Sequence, residues 1–399
     1  MWKIYCDDYL LHDDRLSLKV YQPRLEMELN KTGSFTFSID TDHPYYSVIH
    51  RMKSIITVYQ DDYLLFRGRV LEDELGFHNE RQVSCEGELA FLLDSIQRPY
   101  ESTGSSEQFL QQILIRNNEQ VETHKQFILC EVTVKDSNDY INRSDTDYST
   151  SLDAITNKLI GTHGGFLWVR HEEDGNYLDY VDDFNVPSTQ SIEFAKNLID
   201  IHRENKADEL CTVLIPVGNE GLTIASVNDG KDYIENESAI SAYGRIVKVQ
   251  KWDDVELPEN FLEKAQEYLA DNSSPLTTLE ITSADLASIE DVNPFRLGTK
   301  VRVNARPQGL EDEIFLVQKL SIDLLNPASN RLVLGNTTKL IESQIEKLMQ
   351  TKKQVSAVQK TTSSAEEAIV NLSSSVTKEI KVSEADILTA VKDGFYSSE

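Results

Sequence analysis

The sequence predicts an α+β, β-rich, multi-domain protein: two mostly-β segments flank an α+β unit, and a helical segment of coiled-coil character follows. Three observations carry that reading. Residues 1–98 and 197–338 consist of short alternating apolar and polar runs separated by polar turns, the pattern of strands with one buried face. Residues 99–196 interrupt them with two stretches whose apolar residues recur at helical spacing. Residues 339–399 contain one Gly and no Pro, and carry apolar residues at heptad intervals.

In the first segment, two passages resemble each other: Ile4-Tyr5-Cys6-Asp7-Asp8-Tyr9-Leu10-Leu11 and Val58-Tyr59-Gln60-Asp61-Asp62-Tyr63-Leu64-Leu65. Asp tolerates the left-handed backbone that a tight turn needs, so each passage reads as a hairpin. A strand over residues 82–85 and a short helix over 89–95 complete the segment. In the second, Ser105-Ser106-Glu107 opens a helix with Phe109, Leu110, Ile113 and Leu114 on one face. A strand over 127–134 precedes a second helix with Leu152, Ile155, Leu159 and Ile160, which Gly164-Gly165 ends. The runs 166–170 and 177–181 then form a hairpin around Asp174-Gly175-Asn176.

The third segment offers strands at 212–217, 222–224, 246–252, 276–281, 300–303, 314–322 and 331–334. A helical insertion near 235–272 includes an amphipathic helix that starts at Pro258 and buries Phe261, Leu262, Ala265 and Leu269. In the fourth, Val355, Val358, Thr362, Ala365, Ile369, Leu372 and Val376 form the core of a left-handed coiled coil and so an oligomer interface. Its β-branched core leaves dimer and trimer both open. A lone helix this polar would bury too little to hold itself.

Composition sets further bounds. The 399 residues carry a net charge of −28 with no dense basic run, which argues against specific nucleic-acid binding, since that draws on cations neutralising phosphates. No run approaches the roughly 20 apolar residues of a membrane span. The N terminus lacks the pattern of a secretory signal, so synthesis in the cytoplasm is expected. Cys6, Cys85, Cys130 and Cys211 lie far apart in apolar or strand-like contexts and are expected to be buried free thiols.

A search for chemistry yields no catalytic, cofactor-binding or metal residue: the zinc-helix, phosphate-loop, dinucleotide and nucleophile-elbow patterns are all missing. His163 beside Gly164-Gly165 reads as a helix C-terminal residue whose charge suits the dipole. His171-Glu172-Glu173-Asp174 reads as a strand end with carboxylates facing solvent. The pairs Asp182-Asp183 and Asp253-Asp254 are what 67 acidic residues produce by chance.

Several passages together resemble the prophage tail protein family, often labelled prophage tail endopeptidase. They are Ser191-Ile192-Glu193-Phe194-Ala195-Lys196-Asn197-Leu198-Ile199-Asp200-Ile201, Val213-Leu214-Ile215-Pro216-Val217-Gly218, Asn228-Asp229-Gly230-Lys231-Asp232-Tyr233-Ile234, Ala242-Tyr243-Gly244-Arg245-Ile246, Trp252-Asp253-Asp254-Val255 and Phe295-Arg296-Leu297-Gly298-Thr299-Lys300-Val301. The resemblance spans about residues 1–340, including Gly164-Gly165-Phe166-Leu167. It implies the N-terminal hub part of a siphophage tail-associated lysin, similar to the baseplate hub of contractile tails.

By that resemblance, residues 1–98 and 197–338 are β-barrel-like hub domains and the protein is a virion structural protein at the tail tip. It forms a homotrimer docked to the distal tail protein hexamer, a conduit for the tape measure protein and DNA at host attachment, with indirect contact to the host cell wall or receptor. It implies no cofactor, and it places any lytic activity beyond residue 399. Two alternatives stand beside it: a peptidoglycan endopeptidase, and a carbohydrate-binding adhesin using Trp168, Tyr177 and Tyr180.

Overall fold

A computed structural model describes residues 1–77, 79–135, 141–172, 174–218, 221–252, 255 and 257–335. The heptad residues Val355, Val358, Thr362, Ala365, Ile369, Leu372 and Val376 lie outside the described residues, as do Asp253 and Asp254.

The first segment folds as strands β1 (Trp2–Cys6), β2 (Tyr9–Asp13), β3 (Tyr21–Glu28), β4 (Ser34–Ile39), β5 (Ile55–Gln60), β6 (Tyr63–Leu75) and β7 (Arg81–Gly87). The two similar passages are the hairpins β1–β2 and β5–β6, and they turn at Asp7 (φ 50°) and Asp61 (φ 56°), left-handed positions that Asp accepts. The hairpins lie back to back, because β1 also pairs with β5. The Asp7 carboxylate accepts from the Ile55 amide at 2.9 Å, and the Asp61 amide donates to the Met1 carbonyl at 2.7 Å, so each turn fastens onto the other hairpin. The helix expected at 89–95 is a 3-10 helix, Glu88–Leu93.

The second segment contains β8 (Ile96–Gln97), β9 (Tyr100–Gly104), α1 (Ser106–Asn118), β10 (Phe127–Val132), β11 (Ile141–Asp145), β12 (Ser149–Thr150), α2 (Ser151–Ile155), a π-turn (Thr156–Ile160), α3 (Gly161–His163), β13 (Phe166–Glu172) and β14 (Gly175–Val181). Ser105 caps α1 in a capping box with Gln108, and Phe109, Leu110, Ile113 and Leu114 are all buried, as the spacing predicts. The second expected helix widens into the π-turn before Gly164 (φ 68°) and Gly165 (φ 79°) end it. Strands β10, β14 and β13 form a three-stranded sheet in that order.

Strands β15 (Val186–Pro187) and β16 (Ile192–Glu193) end the second segment, and the third adds β17 (Leu198–Lys206), β18 (Val213–Gly218), β19 (Ile234–Glu235), α4 (Glu237–Tyr243), β20 (Val247–Trp252), α5 (Pro258–Asn272), β21 (Leu276–Ser283), β22 (Thr299–Ala305), β23 (Leu310–Asp323) and β24 (Arg331–Gly335). Helix α5 covers the small sheet β19-β18-β20 with Phe261, Ala265 and Leu269, against Leu214 and Trp252. Residues 222–224, expected as a strand, are loop: the Gly218 amide bonds the Leu222 carbonyl at 2.8 Å, and Ile224 is buried without a ladder. Apolar content there reflects burial under α5.

The segments meet in one curled sheet of fourteen described strands, along the path β17-β21-β24-β23-β3-β4-β7-β6-β5-β1-β2. The joint is antiparallel β3–β23, with Leu25 opposite Ile322 and Met27 opposite Leu320. A single core cluster draws on both segments, from Ile4, Leu25 and Phe35 to Val301, Phe315 and Leu334. Burying such apolar surface yields about 25 cal/mol per Å², so the shared core couples the two segments.

Candidate functional site: a cleft and an open sheet edge

Strand β7 joins β6 only from Gly68, opposite Gly87, onward. Among the described residues, residues 63–67 of β6 therefore have β5 on one side and no strand on the other. The chain leaves the sheet at Gly87, whose backbone passes so close to the β3–β4 loop that a Cβ there would lie 2.1 Å from the Thr32 carbonyl oxygen. The gap opens a cleft of about 480 Å³, walled by the β3–β4 loop, the start of β6, Glu88, β13 and Arg296.

Charges around the cleft are mostly matched. Glu88, buried, accepts from Arg67 and meets His171, whose Nδ1 lies 3.1 Å from the Asn176 side-chain Oδ1. Behind it, Arg69 bonds Glu86 at 2.7 Å and also Asp94, which accepts from Lys125 at 3.0 Å. Burial alone would raise the Asp94 carboxyl, but the bonds from Arg69 and Lys125 hold it below its usual 3.8. On β13, Arg170 grips Asp179, and burial of that carboxyl is outweighed in the same way.

His163 ends α3 and its Nε2 lies 3.1 Å from an Arg143 nitrogen. Glu172 and Asp174 face solvent. Asp182 accepts from the Thr133 hydroxyl at 2.6 Å, and Asp183 pairs with Lys300, so the neighbours do not act as a pair. Tyr180 is fully buried and donates to the Gly164 carbonyl at 2.7 Å; Trp168 packs edge-on to Phe184; Tyr177 lies under Arg170. Among the described residues, no group of three or more His, Cys, Asp or Glu side chains could hold a metal ion. No described helix is long and apolar enough to cross a membrane.

Cys6, Cys85 and Cys211 are buried, and burial pushes the Cys6 thiol up to about 11. Cys130 corrects the expectation: it is exposed on β10 and accepts from Arg170 at 3.2 Å. Arg296 carries no motif that marks it as chemistry in the sequence. It sits 4.5 Å over the Tyr63 ring at the cleft wall, and only its place in the fold reveals it.

The second feature is β17. It is nine residues long, pairs among the described residues with β21 alone, and is exposed along most of both faces, with Ile199 at 55%. At the other end of the sheet, β2 is dressed: His43 bonds the Leu11 carbonyl at 2.9 Å, and the Asp13 amide bonds Leu18.

Residues 186–345 match the family described as prophage endopeptidase tail. Solved structures share the fold. The prophage tail protein gp18 from Listeria monocytogenes EGD-e aligns over 88% of this chain and 99% of its own, with a TM-score of 0.57 at 13% identity. The tail protein from Neisseria meningitidis MC58 aligns over 84% and 96%, with a TM-score of 0.57 at 15% identity. The 43 kDa tail protein of prophage MuSo2 from Shewanella oneidensis gives 84%, 97% and 0.57 at 13% identity. No curated protein matches the chain.

Proposed function

We propose that the protein is a prophage tail protein and the structural hub of a siphophage tail tip, a reading supported by the family match over residues 186–345 and by the shared fold of solved tail proteins. In this reading three copies close into a ring that docks under the distal tail protein hexamer and guides the tape measure protein and DNA at host attachment. The heptad residues Val355 to Val376 would hold the three chains together below the ring.

The observation that carries the reading is β17, which among the described residues is an edge strand with no partner on one side, at the end of a curled sheet. Long open edges recruit further strands unless something covers them, and although Asp200, Arg203, Glu204 and Lys206 put charge on this one, Leu198, Ile199 and Ile201 keep its first half largely apolar. Head-to-tail contact through such an edge closes into a ring when the rotation permits. A net charge of −28 suits a conduit, because an acidic wall does not retain a polyanion.

We assign residues 1–399 no catalytic role. The carboxylates Glu28, Glu88 and Glu172 of the cleft each face a cation, an arrangement that favours structure over acid–base work. Mixing the chain with the distal tail protein and imaging the product tests the hub: a ring of three chains on a hexamer is expected, and failure to associate contradicts it. Release of soluble peptides from peptidoglycan by the chain alone would revive the peptidase.

A further inference from the structure

The cleft beside β6 has a composition that the ring reading does not use. Its two long walls are strand edges. Residues 63–67 of β6 have no strand on the cleft side, and five extended residues run about 16 Å. Strand β13 faces the same cleft and, among the described residues, pairs with β14 alone. Asn30 marks which amides of β13 point outward: its side chain accepts from the Leu167 amide at 2.8 Å and donates to the Gly165 carbonyl at 2.9 Å. By alternation, Val169 and His171 present their backbone groups to the cleft as well. No described group bonds them there.

Arg296 supplies a charge to the same space. One terminal nitrogen bonds Gln60 and the Phe295 carbonyl, and the ring of Tyr63 lies beneath. Its Nε and second terminal nitrogen have no partner among the described residues, and no described carboxylate lies within ion-pair distance. The cleft's carboxylates are engaged by other cations, except for Asp62, which is exposed in the β5–β6 turn. Burial lowers the Arg296 guanidinium from its usual value and outweighs the more distant Asp285 and Asp61, so a carboxylate brought into contact with it would relieve a cost. Leu64, Leu65, Leu167 and Val169 supply apolar surface between.

We infer that the cleft is a docking slot for an extended acidic segment of a partner protein, added as a strand against β6 and β13 with a carboxylate on Arg296. Main-chain bonds would give the affinity and the Arg296 contact the preference for acid. The proposal stands independently of the ring.

A capped six-residue peptide alternating valine and glutamate is the probe, with its valine–lysine counterpart and inorganic phosphate as controls. Binding is read by calorimetry and by hydrogen exchange across residues 63–67 and 167–171. The acidic peptide is expected to bind and to slow exchange in both edges, and the lysine peptide to do neither. Arg296→Gln should weaken binding about tenfold or more. Val169→Pro should weaken it similarly while leaving the melting temperature in place, because that amide faces away from β14 and an edge strand tolerates proline there. If Arg296→Gln fails to fold, Val169→Pro decides. No protection at either edge, equal binding of the lysine peptide, phosphate competing fully with the peptide, or wild-type affinity in Val169→Pro would each overturn the proposal.

Discussion

Arg69, 4% exposed, holds Glu86 and Asp94 while its guanidinium lies 5.8 Å over the Phe91 ring. This network ties the sheet to the 3-10 turn and, through Lys125, to the second segment. Its pH dependence has a definite sign. A carboxyl held below its usual value stabilises the fold above that value, and the contribution fades as pH falls through the depressed folded one. Asp94→Asn should therefore lower stability at neutral pH and flatten the acid-unfolding curve below about pH 4, checked by denaturant titration from neutral pH downward. Cys130 makes a second residue-scale prediction. Among the four cysteines it alone is exposed, so native alkylation should add a single adduct, and Cys130→Ser should remove it, by intact mass. The sequence could not separate Cys130 from the others. All four sit in strand-like contexts, and which side of β10 meets the core depends on its parallel pairing with β14.

Elements whose signals are local were legible. The paired-Asp hairpins, the α1 stripe, the Gly164-Gly165 stop and the start of α5 at Pro258 all stand where spacing and turn chemistry put them. Ser105→Ala should cost about 1 kcal/mol by removing the capping box of α1, measured as a shift in the unfolding midpoint at constant slope. Elements with weak alternation were missed. Strand β17 was not singled out, because it is exposed on both faces and so carries no apolar period. Strand β3 contains Pro23, which counts against a strand; the fold accommodates it where the β3–β4 register shifts, beside Gln22 at φ 50°. The run 222–224 erred the other way, since a short buried loop and a buried strand look alike.

For the molecule as a whole, the decisive contact joins residues near the two ends of the described chain. Pairing β3 to β23 merges the strands of the first and third segments into one sheet over one core, and no local pattern announces it. Leu25→Ala, at a fully buried site on that joint, should cost about 2–5 kcal/mol and speed hydrogen exchange in β21 to β24 as well as in β3 and β4, because one core unfolds as one unit. Protection unchanged in the third segment would mean two independently stable halves. The cleft with Arg296 was likewise unreadable, since its walls come from β6, β13 and the loop before β22.

The mass of the chain in solution, by light scattering across a concentration series, tests the central claim most directly. The ring account predicts three times the 45.4 kDa chain, and a fall toward the monomer in Ile199→Lys, which charges the exposed edge without touching the core. A single-chain mass at every concentration, or a trimer indifferent to Ile199→Lys, would contradict closure through β17.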